Sequence, residues 1–208
     1  MISTILSILA MGAAEPAKAE PRRDPASWVR ARDLPRIDGD AAVTTFDLTI
    51  DDEGNPVNCV IIVESGQDGL DASVCDAVMK RARFKPAKDR NGSNVYSVRR
   101  DRVNWFPNAV GRNISYDAAD VVVRTPAISE EKETLLDVIL TIDAEGSVTR
   151  CDVPKNEGNE ELISFACQAA SDPQIASPIR DEAAVIRRGI RSLFVAVLHG
   201  EPASTEIR

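Results

Sequence analysis

Four cysteines are the residues of this sequence best suited to covalent chemistry: Cys59, Cys75, Cys151 and Cys167. They form two pairs, and the two members of each pair are 16 residues apart. An even number of cysteines is typical of disulfide-bonded proteins from oxidising compartments, and the C-x-x-C motif of redox sites is absent. Four cysteines allow three disulfide connectivities, so their spacing has to be interpreted together with the elements that carry them.

Other groups that resemble reactive or metal-binding motifs fit those chemistries poorly. The acidic turn Asp51-Asp52-Glu53-Gly54 lacks the alternating ligand spacing of an EF-hand, and we predict a solvated hairpin turn instead. His199 is the only histidine, so a catalytic triad or a histidine metal site would have to use it. We interpret His199 as a surface residue of the C-terminal tail. The sequence therefore predicts no catalytic residue, no cofactor and no metal, and a protein that is not an enzyme.

The phrase LTIDDEGNPVNC at 48–59 returns almost unchanged as LTIDAEGSVTRC at 140–151. A shift of 92 residues aligns the two phrases and superposes the two cysteine pairs. Without a gap, 15 of 63 positions are identical between 43–105 and 135–197, mostly at turn glycines, cysteines and apolar positions. We interpret this pattern as an internal duplication.

Each copy has the periodicity of two strands, a helix and a third strand. Apolar residues alternate with polar ones on both sides of the glycine turn, and the following apolar residues recur at helical spacing. Asp68 or Asp71 is expected to cap the first helix, and Pro86 is expected to end it. The predicted elements are strands at 45–50, 57–63 and 95–106 around a helix from Leu70 in the first copy, and strands at 138–142, 151–153 and 185–198 around a helix from Leu162 in the second.

This arrangement favours disulfides within each copy. Cys59 is predicted on the inner face of the second strand, and Cys75 flanks the apolar stripe of the helix that covers this face. A bond between them would join helix to sheet, and the same holds for Cys151 and Cys167. Each bond would close a short loop and contribute about 3 kcal/mol in the chain-entropy description. Buried free thiols are the alternative.

The N-terminal segment MISTILSILAMGAAEPAKAEP is typical of a secretory signal peptide. Its apolar run ends at Ala14 and is shorter than the roughly 20 residues that span a membrane. Ala17-Lys18-Ala19 fits a cleavage site, and Gly12-Ala13-Ala14 is the second choice.

The net charge of −8 argues against nucleic acid and anionic lipid surfaces as partners, and 43% hydrophobic residues are sufficient for a packed core.

Residues 43–106 resemble the C-terminal domain of the TonB family. The resemblance rests on the D-x-x-G turn from Asp51 to Gly54 and on the phrase Ala82-Arg83-Phe84-Lys85-Pro86-Ala87 after the helix. Trp28 with Asp33-Leu34-Pro35 resembles the lead-in to such domains. The pattern L-D-x-x-x-C from Leu70 to Cys75 resembles a disulfide-bearing bacterial branch of the family.

The second copy resembles the same domain more weakly, because Ala176 stands where the first copy has Phe84, although Pro178 is kept. We predict an α+β fold of two tandem ββαβ units, each a three-stranded antiparallel sheet packed on one helix. The sequence leaves open whether the two sheets join edge to edge. The predicted domains are a signal peptide at 1–19, a lead-in at 20–40, a first TonB C-terminal-like repeat at 41–107, a linker at 108–132, a diverged second repeat at 133–198 and a tail at 199–208. The linker is expected to contain an extra strand near 121–124.

The resemblance implies a periplasmic domain in which an extended receptor segment pairs with the sheet edge along the last strand. It also implies energy transfer through a membrane anchor and a long proline-rich linker, whereas residues 15–39 contain only four prolines. The basic last strands are therefore a candidate partner-binding edge, or else their cations guard an exposed edge against aggregation. The candidate residues are Tyr96, Val98, Arg99, Arg100, Arg102, Arg187, Arg188 and Arg191.

Together these observations predict a periplasmic, non-enzymatic binding protein that engages an extended peptide or sheet edge of a cell-envelope protein. An outer-membrane receptor segment is the partner that the resemblance implies, with a link to energy transduction for outer-membrane transport. The alternative is a secreted scaffold that uses the fold for stability or self-association, including a homodimer through sheet edges. Membrane contact is expected only if the N-terminal segment stays uncleaved, and no nucleic acid is expected.

Overall fold

The computed structural model of the protein describes residues 14–30, 32, 35, 42–67, 69–105, 119–126, 133–154, 159–200 and 204–207. Strands and helices follow one another in a mixed α+β order, with a short 3-10 turn at Pro25–Ser27. The elements are β1 (Glu20–Pro21), β2 (Ala42–Ile50), β3 (Pro56–Val63), α1 (Leu70–Arg81), β4 (Phe84–Lys85), β5 (Ala87–Lys88), β6 (Asn94–Trp105), β7 (Val121–Thr125), β8 (Glu133–Ile142), β9 (Val148–Asp152), α2 (Glu160–Ala170), β10 (Gly189–His199) and β11 (Ser204–Ile207).

A single nine-stranded sheet joins the two halves of the chain. In the first half β2 lies between β3 and β6, and in the second half β8 lies between β9 and β10, always antiparallel. The halves meet where β6 and β10 pair in parallel, from Tyr96 opposite Gly189 to Arg99 opposite Ser192. Beyond that point β7 replaces β6 beside β10 and pairs with it in parallel, and β11 pairs with the far side of β7. The sheets that the sequence predicted are therefore joined edge to edge.

The two helices pack on opposite faces of this sheet. Helix α1 covers Phe46, Leu48 and Ile50 of β2, whereas α2 covers Leu136 and Leu140 of β8, together with their neighbours on that face. Residues paired across a sheet share a face, and the alternation along β2, β6, β10 and β8 places these two apolar rows on opposite sides. Equivalent strands paired in parallel, with the helices on opposite faces, are related by an approximate twofold axis that runs along the strands.

The residues after α1 close the first core. The Phe84 ring is fully buried and meets the Trp28 ring edge to face, with 5.3 Å between the ring centroids. The Phe84 N–H donates to the carbonyl of Gly54, whose φ is +91°. A Cβ at Gly54 would lie 2.1 Å from the Phe84 carbonyl oxygen, so only glycine fits this turn. The two motifs that carried the family resemblance therefore pack on each other.

Both cysteine pairs form disulfides within their own half of the chain. Cys59 on β3 is bonded to Cys75 on α1, and Cys151 on β9 is bonded to Cys167 on α2. Each bond spans 16 residues and joins a second strand to the helix that covers it. The predicted pairing is confirmed, and the alternative of free thiols is wrong.

Three local predictions differ from the structure. Helix α1 begins after Gly69 without a side-chain cap, because Asp71 instead accepts hydrogen bonds from the Ser65 N–H and the Thr44 hydroxyl; the other proposed cap, Asp68, lies outside the described residues. Strand β10 begins at Gly189, later than predicted, because the Asp181 carboxylate organises a turn before it. The tail also contributes a strand, β11, to the sheet.

The N-terminal segment is part of the fold from Pro16 onward. Ala17 and Lys88 exchange two backbone hydrogen bonds, and the Lys18 ammonium pairs with the Asp137 carboxylate of β8. Pro16 and Ala19 are buried. Among the described residues no helix combines the length and apolar character needed to cross a membrane.

A buried cluster of three charges lies under the β6–β10 junction. The Asp47 carboxylate on β2 accepts hydrogen bonds from Arg100 of β6 at 2.7 Å and from Arg191 of β10 at 2.6 Å. The side chains of Asp47, Arg100 and Arg191 are 8%, 3% and 3% exposed. Burial on its own raises the pKa of Asp47, but the charges of Arg191 and Arg100 and their hydrogen bonds outweigh it and hold this pKa below its ordinary value. The cluster is therefore ionised and ties the two halves together.

We expect Asp47→Asn to lower the free energy of unfolding by about 3–5 kcal/mol, because it leaves two buried guanidinium groups without a counter-charge. Asp101→Asn is the matched control, because Asp101 pairs with Arg99 on the other face of β6 and its side chain is 19% exposed. Urea unfolding at neutral pH measures both variants. Equal losses of the free energy of unfolding in the two variants would show that the buried cluster on Asp47 contributes no more to stability than the Arg99–Asp101 pair.

Candidate partner-binding edges

The strands that the sequence predicted as partner-binding edges lie inside the sheet. Strand β6 pairs with β10 over Tyr96–Arg99, and from Ser97 onward its other side pairs with β2. Strand β10 is paired with β8 along almost its whole length, and its other edge is shared between β6 and β7. The prediction of a free edge is therefore wrong for Tyr96, Val98, Arg99 and Arg191. The physical reason is that each half of the chain already supplies the other with the neighbouring strand.

The predicted arginines mostly have partners inside the protein. Arg99 forms a two-pronged ion pair with Asp101 and lies 5.5 Å from the centre of the Phe84 ring. Arg102 donates to the Thr45 hydroxyl and to the carbonyl of Ala119. Arg100 and Arg191 belong to the buried cluster on Asp47. Arg100 and Arg191 stabilise the junction, and all four side chains already have partners inside the protein.

Arg187 and Arg188 precede β10 and are more exposed. Arg187 donates to the Asp181 carboxylate and lies over the ring of Tyr96, at 5.5 Å from its centre. Arg188 lies 3.6 Å from a carboxylate oxygen of Asp89, and its side chain is 63% exposed. Neither arginine lies on a sheet edge. The alternative that cations guard an exposed edge therefore also fails at these positions.

Strands β6 and β7 diverge along β10, and Asp120 occupies the fork between them. The Asp120 N–H donates to the Phe194 carbonyl, and the Phe194 N–H donates to the Asp120 carboxylate, both at 2.7 Å. Burial raises the pKa of Asp120 to about 7, because the Phe194 hydrogen bond and the charges of Arg100 and Arg102 only partly offset it. The fork therefore holds a carboxyl group that titrates near neutral pH.

Among the described residues, three strands lie at the outside of the sheet with a free edge along their length: β3, β9 and β11. The outer side of β6 beyond Arg99 instead borders the fork that Asp120 occupies. Strand β9 has five residues, carries Arg150 and Asp152, and is followed by Pro154, all of which discourage further pairing. The described side chains of β11, Ser204 and Thr205, are polar and exposed. These two edges have the features with which soluble proteins avoid edge-to-edge association.

The β3 edge lacks such protection. Val60, Ile62 and Val63 are 47%, 37% and 40% exposed, and β3 contains no charged residue from Pro56 to Val63. An exposed apolar edge strand is a template for pairing with another chain. The sequence contains a signal for this apolar edge. The run Val60-Ile61-Ile62-Val63 is apolar on both faces of the strand, whereas a half-buried strand would alternate apolar and polar residues.

Comparison with known proteins identifies part of the chain. Residues 36–105 match the family model of the Gram-negative bacterial TonB protein C-terminal, over roughly a third of the chain. No curated protein and no solved structure matches it significantly. The segment containing β2, β3, α1 and β6 is therefore supported as a TonB C-terminal domain, and the second half lies outside the match.

We expect the change in the free energy of unfolding caused by Asp120→Asn to be more favourable at pH 8 than at pH 5. Asparagine keeps an oxygen that accepts the Phe194 hydrogen bond but carries no charge. The folded-state pKa of Asp120 exceeds that of the unfolded chain, so the folded state binds more protons and the parent protein loses stability as pH rises towards 7. Urea unfolding at both pH values measures the difference. Asp76→Asn, at an exposed position of α1, is the control. The same gain in free energy of unfolding for this variant would contradict the assignment to Asp120.

Proposed function

We propose that this protein is a periplasmic, non-enzymatic binding protein that accepts an extended strand of a cell-envelope protein at the outer edge of β3. The observation that carries the proposal is the unpaired β3 edge, with Val60, Ile62 and Val63 exposed. Strand addition at such an edge obtains affinity from backbone hydrogen bonds and selectivity from alternate side chains. The match of residues 36–105 to the TonB C-terminal family supports a protein-binding role in the envelope.

The proposed edge differs from the one that the family resemblance implies. The resemblance places the partner strand along the last strand of the domain, which here is β6. In this protein β10 already pairs with β6 in parallel over four residues and occupies that place. Over Tyr96–Arg99 a partner could use the β6 edge only by displacing β10, which would separate Arg191 from Asp47. Strand β3, at the opposite end of the first domain, is open without any such rearrangement.

A self-associating scaffold is the second candidate, and the composition of β3 favours it over other non-binding roles. Antiparallel pairing of two copies would place Val60 opposite Val60 and bring no like charges together. Such a contact has the self-complementary form that a twofold dimer requires. The same edge thus serves both candidates, and the identity of the cross-linked product distinguishes them.

Site-specific photo-crosslinking in growing cells tests the function. A photo-reactive amino acid in place of Ile62 is expected to give a cross-linked product with one envelope protein, identified by mass spectrometry. Thr149 on the protected β9 edge is the matched control position and is expected to give none. Val60→Lys is expected to abolish the Ile62 product, because a charge beside the unpaired edge disfavours strand addition.

The outcomes separate the candidates. A product of twice the chain mass, and a dimer in light scattering that Val60→Lys disrupts, would establish the scaffold. The absence of any product at position 62, or equal products at 62 and 149, would rule out β3 as a binding edge.

The periplasmic location makes a separate prediction. Ala17-Lys18-Ala19 contacts Lys88 and Asp137, so cleavage after Ala19 would remove contacts of the folded protein. We expect cleavage after Ala14, and therefore a soluble periplasmic chain that begins at Glu15. Cell fractionation and intact-mass measurement check this result. A full-length chain retained in the inner membrane would favour energy transduction over the proposed soluble role.

A further inference from the structure

Six basic side chains line one cavity of about 540 Å³ at the C-terminal end of α1, which we call the basic cavity. The chain as a whole carries a net charge of −8, so this concentration of positive charge runs against the average. Cations gathered around a concave surface raise the local potential and attract anions. The basic cavity is lined by Arg22, Arg23, Arg30, Lys80, Arg81 and Arg83, together with the hydroxyl-bearing Ser27.

The fold brings these cations together from two distant segments. Strand β1 pairs with β4, and the Arg22 N–H donates to the Arg83 carbonyl at 2.8 Å. Backbone carbonyls orient the guanidinium groups: Arg22 donates to Phe84 at 2.7 Å, and Arg81 donates to Trp28 at 2.6 Å. The donors of the cavity are thus partly held in position before any ligand arrives.

Stabilisation of the helix explains only part of the cluster. Lys80 and Arg81 lie in the last turn of α1, where cations interact favourably with the helix dipole. Arg22 and Arg23 belong to another segment and gain nothing from the dipole. In the described part of the chain, no carboxylate lies within 4 Å of the side-chain nitrogens of Arg22, Arg23, Lys80 or Arg83, since the nearby Glu20 pairs with Lys85 and Asp24 accepts from Ala26.

We propose that the basic cavity binds a ligand that carries two or more phosphate groups. A phosphate monoester has a charge of about −1.5 to −2 at neutral pH, so two or three such groups balance the charges of Arg22, Arg23, Lys80 and Arg83 within a small volume. A peptide would need about one carboxylate per cation to do the same. The planar guanidinium fork matches phosphate oxygens, and the cavity volume falls within the range of small-molecule sites. This site is separate from β3.

Calorimetric titration of the purified mature protein with inorganic tripolyphosphate tests the site. We expect saturable binding of one tripolyphosphate per chain that persists at about 0.15 M salt. The double variant Arg22→Gln/Arg83→Gln is expected to weaken binding about tenfold or more, since it removes two charge-assisted contacts. Arg150→Gln/Arg188→Gln is the matched control, because it removes the same charge from exposed arginines outside the cavity.

Lack of saturable binding, or an equal loss in the control variant, would overturn the proposal. If Arg22→Gln/Arg83→Gln unfolds, Arg23→Gln/Lys80→Gln replaces it, because both side chains are exposed. Sedimentation with cardiolipin vesicles, compared with phosphatidylcholine vesicles, identifies the source of the phosphates. Cardiolipin binding that tripolyphosphate displaces indicates a lipid headgroup, and tripolyphosphate binding alone indicates a soluble ligand. Failure here leaves β3 cross-linking unaffected.

Discussion

The parallel pairing of β6 with β10 is the contact on which the rest of the structure depends. It converts two small antiparallel sheets into one sheet, and it places α1 and α2 on opposite faces. Close approach is possible because position 189 is glycine: a Cβ there would lie 2.1 Å from the Tyr96 carbonyl oxygen. The Asp47 carboxylate accepts hydrogen bonds from Arg100 of its own half and from Arg191 of the other half, and so links the two halves under the junction. Each half has a marginal core for its size, so the shared junction contributes stability that short domains lack.

The junction also decides which surfaces remain for a partner. Pairing β6 with β10 covers the facing edges of the two last strands over Tyr96–Arg99 and Gly189–Ser192, and it leaves unpaired the edges of β3 and β9 on the far sides of β2 and β8. These two are equivalent under the 92-residue shift, yet they differ in chemistry: Val60 and Ile62 on β3 correspond to Asp152 and Pro154 on and after β9. One edge is protected against pairing and the other is apolar. This asymmetry is the main reason for assigning a binding role to β3.

The same comparison between the two halves explains why Arg99 and Arg191 have different partners. Arg99 and Arg191 are equivalent under the 92-residue shift, and they lie on opposite faces of the sheet. Arg191 meets Asp47, whereas the residue equivalent to Asp47 in the second half is Ile139. Arg99 therefore pairs with Asp101 and lies against the Phe84 ring. The two halves therefore share the arginine under this shift but not the buried acid, and the two arginines make different interactions.

Much of the local structure follows from the sequence. The alternating apolar residues of β2 and β8, the helical spacing after Leu70 and the paired cysteines were sufficient to predict the main strands, both helices and both disulfides. These features depend on neighbours along the chain or on loops of 16 residues, so periodicity and spacing report them directly. The prediction that Asp71 caps α1 is wrong, because Asp71 accepts a hydrogen bond from Thr44 on β2, a contact that no local pattern shows.

The candidate binding sites do not follow from the local sequence in the same way. The basic residues of the last strands are predicted from sequence to be edge residues, because a strand considered alone has two free edges and cations are common there. Whether an edge is free depends on pairing between residues more than 90 positions apart, such as Tyr96 with Gly189. Composition likewise gave the average charge but not the basic cavity, which β1 and β4 assemble from two segments. The sequence by itself determined the strands, helices and cysteine bonds; only the tertiary structure decided which edge stays open and where the charges gather, because these are set by contacts between segments and not by order within them.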